Sequence, residues 1–396
     1  MKAAIIGSGR IGCGFAGHLL AAAGYEVVFL ARNPVMVSHL NRVGRYRVRL
    51  ANGRDQTESS VSGVRAVDMA DRAACVAVLA EADLIVTAVG PANLASVAPL
   101  VADALRTRST PLNIFTFENL ADGGAHLRSE VAACLPEGFP LDRFGFSGTL
   151  VSRAVTQRLG DPSGDEPMVF VGDPPDSFVV DGTRLVAPVP VIASMIIADN
   201  FAAWMRRKLY IFSAGHATCA YLGYLKGYRY IHSAIRDSEI RSAVVEAMTE
   251  AQKGIAAVYG VAFAGGEAHL QEILDRFANA AINDSISRVA RDPFRKLASE
   301  DRLVGAARLA LEAGVYPEQL LRAAAAAYCF SDPADAVAGE LQKEIRVTGM
   351  RPTVRRVSGV RANGRLGRTL IKRWRQLTRH WHADSVLLSL AQVHWA

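Results

Sequence analysis

The sequence lacks any long apolar run. No window of about eighteen residues is apolar throughout, and the nearest candidate, 185–198, is interrupted by Pro188 and Pro190. A membrane-spanning helix is therefore not expected. The chain also reaches its first apolar run at Lys2, without the apolar segment that a cleavable leader needs. We therefore expect a cytoplasmic protein with no membrane partner.

Cysteine is scarce and widely spaced. The five cysteines are Cys13, Cys75, Cys134, Cys219 and Cys329. No two of them form a Cys-x-x-Cys pair, so neither a zinc site nor a disulfide framework is indicated. Buried free thiols are the favoured interpretation.

Acidic residues are almost absent from the C-terminal end. From Arg351 onward, nine Arg and one Lys accompany only Asp384, which gives a net charge of +9 against +7 for the whole chain. We treat 351–396 as a basic C-terminal extension. Contact with nucleic acid or an anionic membrane is conceivable. However, no recognised nucleic-acid module is present, so we favour a disordered or surface-packed extension and expect no nucleic-acid partner.

The N-terminal part has the rhythm of a doubly wound sheet. Apolar runs at 2–6, 25–31, 82–89 and 112–116 are typical of buried strands, and helical patterns lie between them. This alternation predicts an α/β fold that begins with a Rossmann dinucleotide-binding domain over 1–190.

The character of the sequence changes after about residue 198. Proline becomes sparse, and windows such as 242–257 and 303–313 carry apolar residues at helical spacing. We therefore predict a mostly α-helical substrate domain over 191–350.

A glycine motif follows the first predicted strand. Gly7 allows a tight turn, Gly9 lets the backbone approach a pyrophosphate, and Gly12 lets the next helix pack closely on the strand. The free N–H groups at the start of that helix attract an anion. We therefore predict that Gly7, Gly9, Arg10, Ile11 and Gly12 bind a dinucleotide, since the motif stands between a strand and a helix.

The end of the second predicted strand indicates which dinucleotide is preferred. NAD-binding proteins usually carry Asp or Glu there to hold the ribose 2′-hydroxyl, but this chain has Ala31 followed by Arg32 and Asn33. Arg can clamp a 2′-phosphate that a carboxylate would repel. We therefore expect NADP(H) to be favoured over NAD(H), with Arg32 and Asn33 at the cofactor. Alternatively, Arg32 stacks on the adenine or is solvated.

A second group of polar residues lies in the predicted helical domain. On a continuous α-helix, Lys208, Ser213 and His216 fall near 0°, about 140° and about 80°, so all three could face one cavity. Taken alone the pattern is weak, because a Lys and a His on one helical face are more often a solvated cation and a core histidine.

These residues belong to a set of motifs that resembles the polyol-specific long-chain dehydrogenases, and among them the mannitol-1-phosphate 5-dehydrogenases. The family carries Lys, four residues, Asn, two residues and His, which Lys208 and His216 match. The resemblance covers about residues 2–345. Its other motifs are Gly7–Gly17 with Phe15, Thr87–Pro91, Asn113–Ile114, Glu118–Asn119, Arg291–Leu297 and Asp301–Leu303.

The resemblance implies hydride transfer between a secondary alcohol and a nicotinamide without a metal. Lys208 would be the general base, and burial should lower the pKa of its amine so that it can accept the hydroxyl proton. His216 would bind the substrate oxygen. Asn119 would lie between nicotinamide and substrate, and Val89 would contact the cofactor.

Two adjacent cations are candidates for holding a substrate phosphate. Arg295 offers a bidentate fork and Lys296 a point charge. Pro293 ends any preceding helix, which could turn both side chains inward. The alternative is that they form surface salt bridges with Glu300 and Asp301.

Ser213 departs from the family pattern, which has Asn at this position. Ser is shorter and has one donor, and loss of such a donor can cost about 2.7–4 kcal/mol of transition-state stabilisation. Three explanations are open. Either Ser213 acts through a water, or the substrate differs in shape, or catalysis is slow. A sugar phosphate or a cyclitol in a specialised pathway fits the second explanation.

Two other functions stay open. The chain could be an opine-type or 2-oxo-acid reductase, which would not need the pair Lys208 and His216. It could also be a non-catalytic protein that senses the cofactor and acts through 362–396. We expect a small-molecule sugar or polyol partner and a monomer or homodimer.

Overall fold

The computed structural model describes the backbone of residues 1–53, 55–120 and 122–392, and the side chains of these residues as far as Arg379. The chain divides into two compact units, an N-terminal unit (Met1–Met205) and a C-terminal unit (Arg206–Ala396).

The N-terminal unit contains twelve strands among the residues described. They are β1 (Lys2–Ile6), β2 (Glu26–Ala31), β3 (Arg45–Asn52), β4 (Asp55–Ser62), β5 (Arg65–Asp68), β6 (Leu84–Thr87), β7 (Leu112–Thr116), β8 (Phe144–Val151), β9 (Val155–Leu159), β10 (Val169–Gly172), β11 (Phe178–Asp181) and β12 (Met195–Ala198).

Helices connect these strands. They are α1 (His18–Ala22), α2 (Pro34–Val43), α3 (Arg72–Glu81), α4 (Leu94–Arg106), α5 (Gly123–Ala132) and α6 (Phe201–Arg207), with a π-helix at Gly12–Gly17 and 3-10 turns at Pro91–Asn93, Leu141–Arg143 and Gly182–Arg184.

The main sheet has the order β12-β11-β8-β7-β6-β1-β2-β5. From β5 to β8 the neighbouring strands are parallel, β11 is antiparallel to β8, and β12 is parallel to β11. From β1 the strand order runs to β2 and β5 on one side and to β6, β7 and β8 on the other. This reversal of the strand order beside β1 is the switch point where Rossmann domains bind dinucleotides. This confirms the predicted α/β class.

Both faces of the sheet are buried, which explains why the central strands are apolar without alternation. Ala3 and Ile5 of β1 belong to one core cluster, and Ala4 and Ile6 belong to another on the opposite face. A second sheet, with the order β4-β3-β10-β9, contributes Tyr46 to the first cluster.

The C-terminal unit is helical. After a π-helix at Lys208–Phe212 its elements are α7 (Ser213–Leu225), α8 (Ile231–Ala234), α9 (Ser238–Tyr259), α10 (Val261–Ala264), α11 (Glu267–Ala278), a 3-10 turn (Ala280–Ile282), α12 (Ile286–Ala290), α13 (Pro293–Lys296), α14 (Val304–Glu312), α15 (Glu318–Ala327), α16 (Ala336–Thr348), α17 (Met350–Ser358) and α18 (Arg365–Gln392).

Helix α7 lies at the centre of this unit and packs against α9, α12 and α15. Its small residues Ala214, Ala217 and Ala220 are fully or almost fully buried in the core. The helical windows predicted at 242–257 and 303–313 correspond to α9 and α14, so the mostly helical character of this unit is also confirmed.

The basic extension forms α17 and α18. Leu370 and Ile371 of α18 are buried in the core of the C-terminal unit, and Trp374 packs against it. The alternative of a disordered extension is therefore wrong as far as Arg379, because an apolar stripe of the helix packs on the unit while most of the cations stay exposed.

Candidate functional site

The glycine turn after β1 has the geometry that a dinucleotide requires. Gly7 has φ +114°, and a Cβ there would lie 2.6 Å from the carbonyl oxygen of Ala88. A Cβ on Gly12 would collide with the carbonyl of Gly7. At Gly9 a Cβ would meet nothing within 4 Å, so the backbone is open to an approaching group. The residues of this turn therefore fit a pyrophosphate.

The helix that follows the turn is not α-helical throughout. Its first part, Gly12–Gly17, is a π-helix, and α1 begins at His18. The hydroxyl of Tyr46 donates to the carbonyl of Cys13 at 2.9 Å, and a Cβ on Gly17 would contact that hydroxyl. The widened turn is thus held by close packing, which the local sequence pattern does not reveal.

The side chains of the two residues between Gly9 and Gly12 contact other parts of the N-terminal unit. The guanidinium of Arg10 donates to the carbonyl of Thr156 at 2.8 Å, and Ile11 packs against the core. Their contribution to an anion site would therefore come from backbone N–H groups at the helix start.

The residues after β2 lie at the same edge of the main sheet as the glycine turn, because β1 and β2 are parallel. Ala31 is buried, while Arg32 is exposed and donates to the hydroxyl of Ser96 at 2.6 Å. The side chain of Asn33 accepts from two backbone N–H groups and caps α2. Asp68 is aligned with Ala31 on the neighbouring strand. This edge therefore presents one cation and, one strand away, one carboxylate.

A buried carboxylate organises the ends of β6 and β7. Glu118 accepts from the hydroxyl of Thr87 at 2.7 Å and from the N–H of Val89 at 2.9 Å. Burial raises the pKa of Glu118, although these hydrogen bonds oppose the shift. Glu118 thereby fixes the loop that carries Val89, and the adjacent Asn119 is exposed at the same edge. No role for Glu118 was predicted from the sequence.

The motif in the C-terminal unit begins in a π-helix. Lys208–Phe212 form a π turn, and the N–H of Ser213 donates to the carbonyl of Lys208. The angles calculated for a continuous α-helix were therefore wrong. Because a π turn joins residue i to residue i+5, Lys208 and Ser213 lie about one turn apart along the helix, closer to one face than expected. Lys208 and Ser213 are both partly buried.

His216 is held by an aromatic ring and a carboxylate. Its imidazole stacks on Phe277 with ring centroids 4.8 Å apart and an interplanar angle of 13°. Its Nε2 lies 3.2 Å from Oδ2 of Asp284. Asp284 in turn accepts from Nε and Nη2 of Arg288 at 2.6 and 2.5 Å. The three charged or titratable groups form one connected network.

Burial and charge set the protonation of this network. Burial lowers the pKa of His216, and Asp284 only partly offsets this effect. Burial alone would raise the pKa of Asp284, but hydrogen bonds from His216 and Arg288 outweigh it and bring the pKa to about 2. A neutral imidazole beside an ionised carboxylate is therefore the resting arrangement near neutral pH.

The two candidate phosphate-binding cations differ in placement. Arg295 is half-exposed and pairs with Asp292 at 2.9 Å. Lys296 is buried, and its Nζ donates to the carbonyl of Arg291. Burial, together with the charges of Arg302 and Arg295, lowers the pKa of Lys296 to about 7. Only Lys296 has turned inward.

Among the described residues, no group of three or more His, Cys, Asp or Glu side chains could hold a metal ion. No helix in that part of the chain combines the length and the apolar character that crossing a membrane requires.

Comparison with known proteins decides the family. A model of the mannitol dehydrogenase Rossmann domain matches residues 1–194, and one of the mannitol dehydrogenase C-terminal domain matches 200–381. A mannitol-1-phosphate 5-dehydrogenase of Brevibacillus brevis is 37% identical over 369 residues, which are 91% of this chain and 94% of the relative. One of Bacillus licheniformis is 36% identical over 380 residues, or 94% and 99%. This chain belongs to the mannitol dehydrogenase family.

Membership of the mannitol dehydrogenase family confirms the resemblance seen in the sequence. The chain is an NAD(P)-dependent oxidoreductase that acts on CH–OH groups, and more specifically a polyol dehydrogenase with a small-molecule substrate. The family model reaches residue 381 and so includes most of the extension that was treated as a separate segment.

Solved structures agree with this fold. Pseudomonas fluorescens mannitol 2-dehydrogenase, in a ternary complex with NAD and D-mannitol, has a TM-score of 0.72 at 15% identity, covering 99% of this chain and 94% of that one. A substrate-free D-sorbitol dehydrogenase has a TM-score of 0.70 at 16% identity, covering 89% and 95%. At such low identity these similarities show the fold alone.

Sequence reasoning missed the residues that support the motif rather than belong to it. Asp284 and Phe277 contact His216 from elements far along the chain, and Arg288 contacts Asp284. No local sequence pattern indicates these contacts. Glu118 could have been predicted from the sequence. It follows β7, and Thr87 ends the neighbouring strand β6. Because these strands are parallel, their ends lie at the same edge of the sheet.

Proposed function

We propose that this polyol dehydrogenase interconverts a phosphorylated polyol resembling mannitol 1-phosphate with its ketose, that it favours NADP(H), and that it uses no metal. The observation that carries the proposal is the group Lys208, Ser213 and His216, in which His216 is held by Asp284. The relatives that share most of the chain are named mannitol-1-phosphate 5-dehydrogenases.

Lys208 is the general base in this proposal. When bound, the nicotinamide supplies the hydride acceptor, which no side chain can replace. During oxidation the O–H bond of the alcohol breaks and its proton passes to the neutral amine of Lys208, while the C–H bond of the same carbon releases two electrons with the hydride. In the reverse direction the ammonium of Lys208 returns the proton to the oxygen of the ketose.

Ser213 shapes the substrate preference. Its hydroxyl stands about one π turn from Lys208, where the family motif has an amide. A hydroxyl is shorter than an amide, so the reacting oxygen must lie closer to the helix than in a relative with Asn. This favours a polyol of altered shape, and a cyclitol or its ketone is the second candidate substrate.

Lys296 and Arg295 provide the phosphate site. Three cations are clustered here, but Asp292 pairs with Arg295 and Asp301 pairs with Arg302. Among the described residues, Lys296 has a carbonyl partner and no carboxylate. A substrate phosphate would compensate this buried positive charge and raise the pKa of Lys296 again.

Arg32 favours NADP(H). Its guanidinium is exposed at the end of β2 and anchored by Ser96, while Ala31 removes the carboxylate that would hold a ribose 2′-hydroxyl. Asp68 on the next strand accepts from the N–H of Ala70, so one of its carboxylate oxygens is occupied within its own loop. Arg32 is then the group at this edge that discriminates between the two cofactors.

The proposal is tested by steady-state turnover of polyol phosphates, free polyols and cyclitols, each with NADP⁺ and NAD⁺ in parallel. We expect the highest kcat/KM with a polyol phosphate and NADP⁺. Turnover of free polyols alone would refute the phosphate site, and a strong preference for NAD⁺ would refute the role of Arg32.

A further inference from the structure

The carboxylate of Asp284 has a consequence for the chemistry of His216. Its two oxygens have three donors around them, namely Nε and Nη2 of Arg288 and Nε2 of His216. Its backbone carbonyl accepts from the N–H of Ile231 at 2.9 Å, and Ser285 forms a bridge with Tyr230. The side chain is therefore held at both its backbone and its charged end.

An ionised carboxylate can only accept hydrogen bonds. Since Asp284 is paired with the permanent cation Arg288, it stays ionised, and the proton shared with His216 must be carried by Nε2. A neutral imidazole has one N–H, so Nδ1 of His216 is then a bare acceptor. Among the described residues Nδ1 has no hydrogen-bond partner, and the side chain is 18% exposed.

We propose that Asp284 is a positioning residue that fixes His216 as the Nε2–H tautomer, so that Nδ1 accepts a hydrogen bond from a hydroxyl of the polyol. This inference rests on the proposed polyol-phosphate activity for its substrate and on the network itself for its tautomer. It sharpens the role of His216, because a bare Nδ1 binds an O–H group and cannot donate to a carbonyl oxygen.

Other groups around the imidazole support the same state. Phe277 and Phe212 enclose the ring and offer no proton acceptor. The charges that face it are the carboxylate of Asp284 and the guanidinium groups of Arg288 and Arg302, and the two cations disfavour an imidazolium. The ring is therefore kept neutral between one anion and two cations.

The substitution Asp284→Asn tests this inference. In this variant Nε of Arg288 keeps the amide oxygen at the position of Oδ1, so the amide NH₂ takes the position of Oδ2. There it displaces Nη2 of Arg288, faces Nε2 of His216 and donates to it, which moves the imidazole proton to Nδ1. We expect kcat/KM for the polyol to fall about 10²- to 10⁴-fold, whereas the Kd for NADPH, measured by fluorescence, stays unchanged. The exposed Asp275→Asn on α11 is the matched control and should keep both values.

The tautomer itself is read by long-range ¹H–¹⁵N NMR of the full chain labelled at histidine, with His216 assigned through His216→Gln. The wild-type signal should show a protonated Nε2 and a bare Nδ1, and Asp284→Asn should reverse the pattern. A wild-type imidazole protonated at Nδ1, or an unchanged tautomer in a folded Asp284→Asn protein, would overturn the inference. The NMR measurement needs no turnover. Inactivity on every polyol would therefore refute the proposed function, while the NMR signal would still decide the tautomer.

Discussion

Lys208 is the proposed general base, so the chemical step should depend on it. If its amine takes the hydroxyl proton, Lys208→Ala removes the base, and we expect kcat to fall about 10²- to 10⁴-fold with little change in cofactor affinity. Stopped-flow measurement of NADPH formation gives the rate of this step. The exposed Lys343→Ala is the control.

Activity of Lys208→Ala on a keto acid, with polyol turnover unaffected, would contradict the assignment. It would favour the opine-type or 2-oxo-acid reductase, whose chemistry does not require this amine.

Arg32 is the residue proposed to discriminate between NADP(H) and NAD(H). A forked charge-assisted contact is worth about 1.5–3 kcal/mol, so Arg32→Ala should raise the KM for NADPH about 10- to 100-fold and leave the KM for NADH nearly constant. Arg42→Ala, on the neighbouring α2 and paired with Asp165, should change neither value. Equal losses for both cofactors would mean that Arg32 contacts the adenine and not a 2′-phosphate.

Glu118 holds the loop after β6, which carries Val89 and is predicted to contact the cofactor. In Glu118→Gln the amide oxygen keeps the N–H of Val89, and the amide NH₂ faces the hydroxyl of Thr87, which must then accept instead of donate. We therefore expect the binding of NADPH and NADH to weaken by similar, small factors. The exposed Glu137→Gln is the control.

The pH dependence of cofactor binding gives Glu118 a second test. Since burial raises the pKa of Glu118, its protonation in the wild type should loosen the loop as the pH falls, and at a higher pH than the ordinary glutamate pKa of about 4.3. Dissociation constants of NADPH measured across this range check it. A profile that is identical in wild type and Glu118→Gln would contradict the role.

Helices and strands could be predicted from the sequence wherever their apolar residues followed a single periodicity. The strand predicted at 112–116 has those bounds in β7, and the predicted helical window 242–257 lies within α9. The π turns at Gly12–Gly17 and Lys208–Phe212 were not predicted, because their apolar spacing resembles that of an α-helix and the tertiary packing selects the wider turn. Both π turns fall in the predicted functional motifs.

Helix α18 shows how far the basic extension is part of the fold. Leu370 is fully buried, so Leu370→Ala should lower the free energy of unfolding by about 2–5 kcal/mol. Lys372→Ala, two residues away and exposed, should change it by less than about 0.5 kcal/mol. Urea denaturation of both variants measures this difference. Equal stabilities would show that α18 does not contribute to the core in solution.

For the whole molecule, the buried Lys296 makes stability depend on pH. Its pKa is about 7 in the folded protein and close to 10.4 in the unfolded chain. Between these values the unfolded state binds more protons, so the free energy of unfolding should rise as the pH increases above about 7. Comparing urea midpoints at about pH 7 and about pH 9 tests this rise.

Lys296→Met should flatten the rise, because it removes the group that titrates differently in the two states. Lys253→Met, a substitution on α9 outside the cationic cluster, should keep it. A slope that is the same in wild type and Lys296→Met would mean that Lys296 is solvated and charged in the folded protein.

The decisive experiment is the oxidation of a polyol phosphate by NADP⁺, followed as NADPH absorbance, in wild type, Lys208→Ala and His216→Gln. We predict turnover in the wild type, about a 10²-fold or greater loss in Lys208→Ala, and a clear loss in His216→Gln. Undiminished turnover after Lys208→Ala, or none by the wild type with any polyol, phosphorylated polyol or cyclitol, would contradict the proposed function.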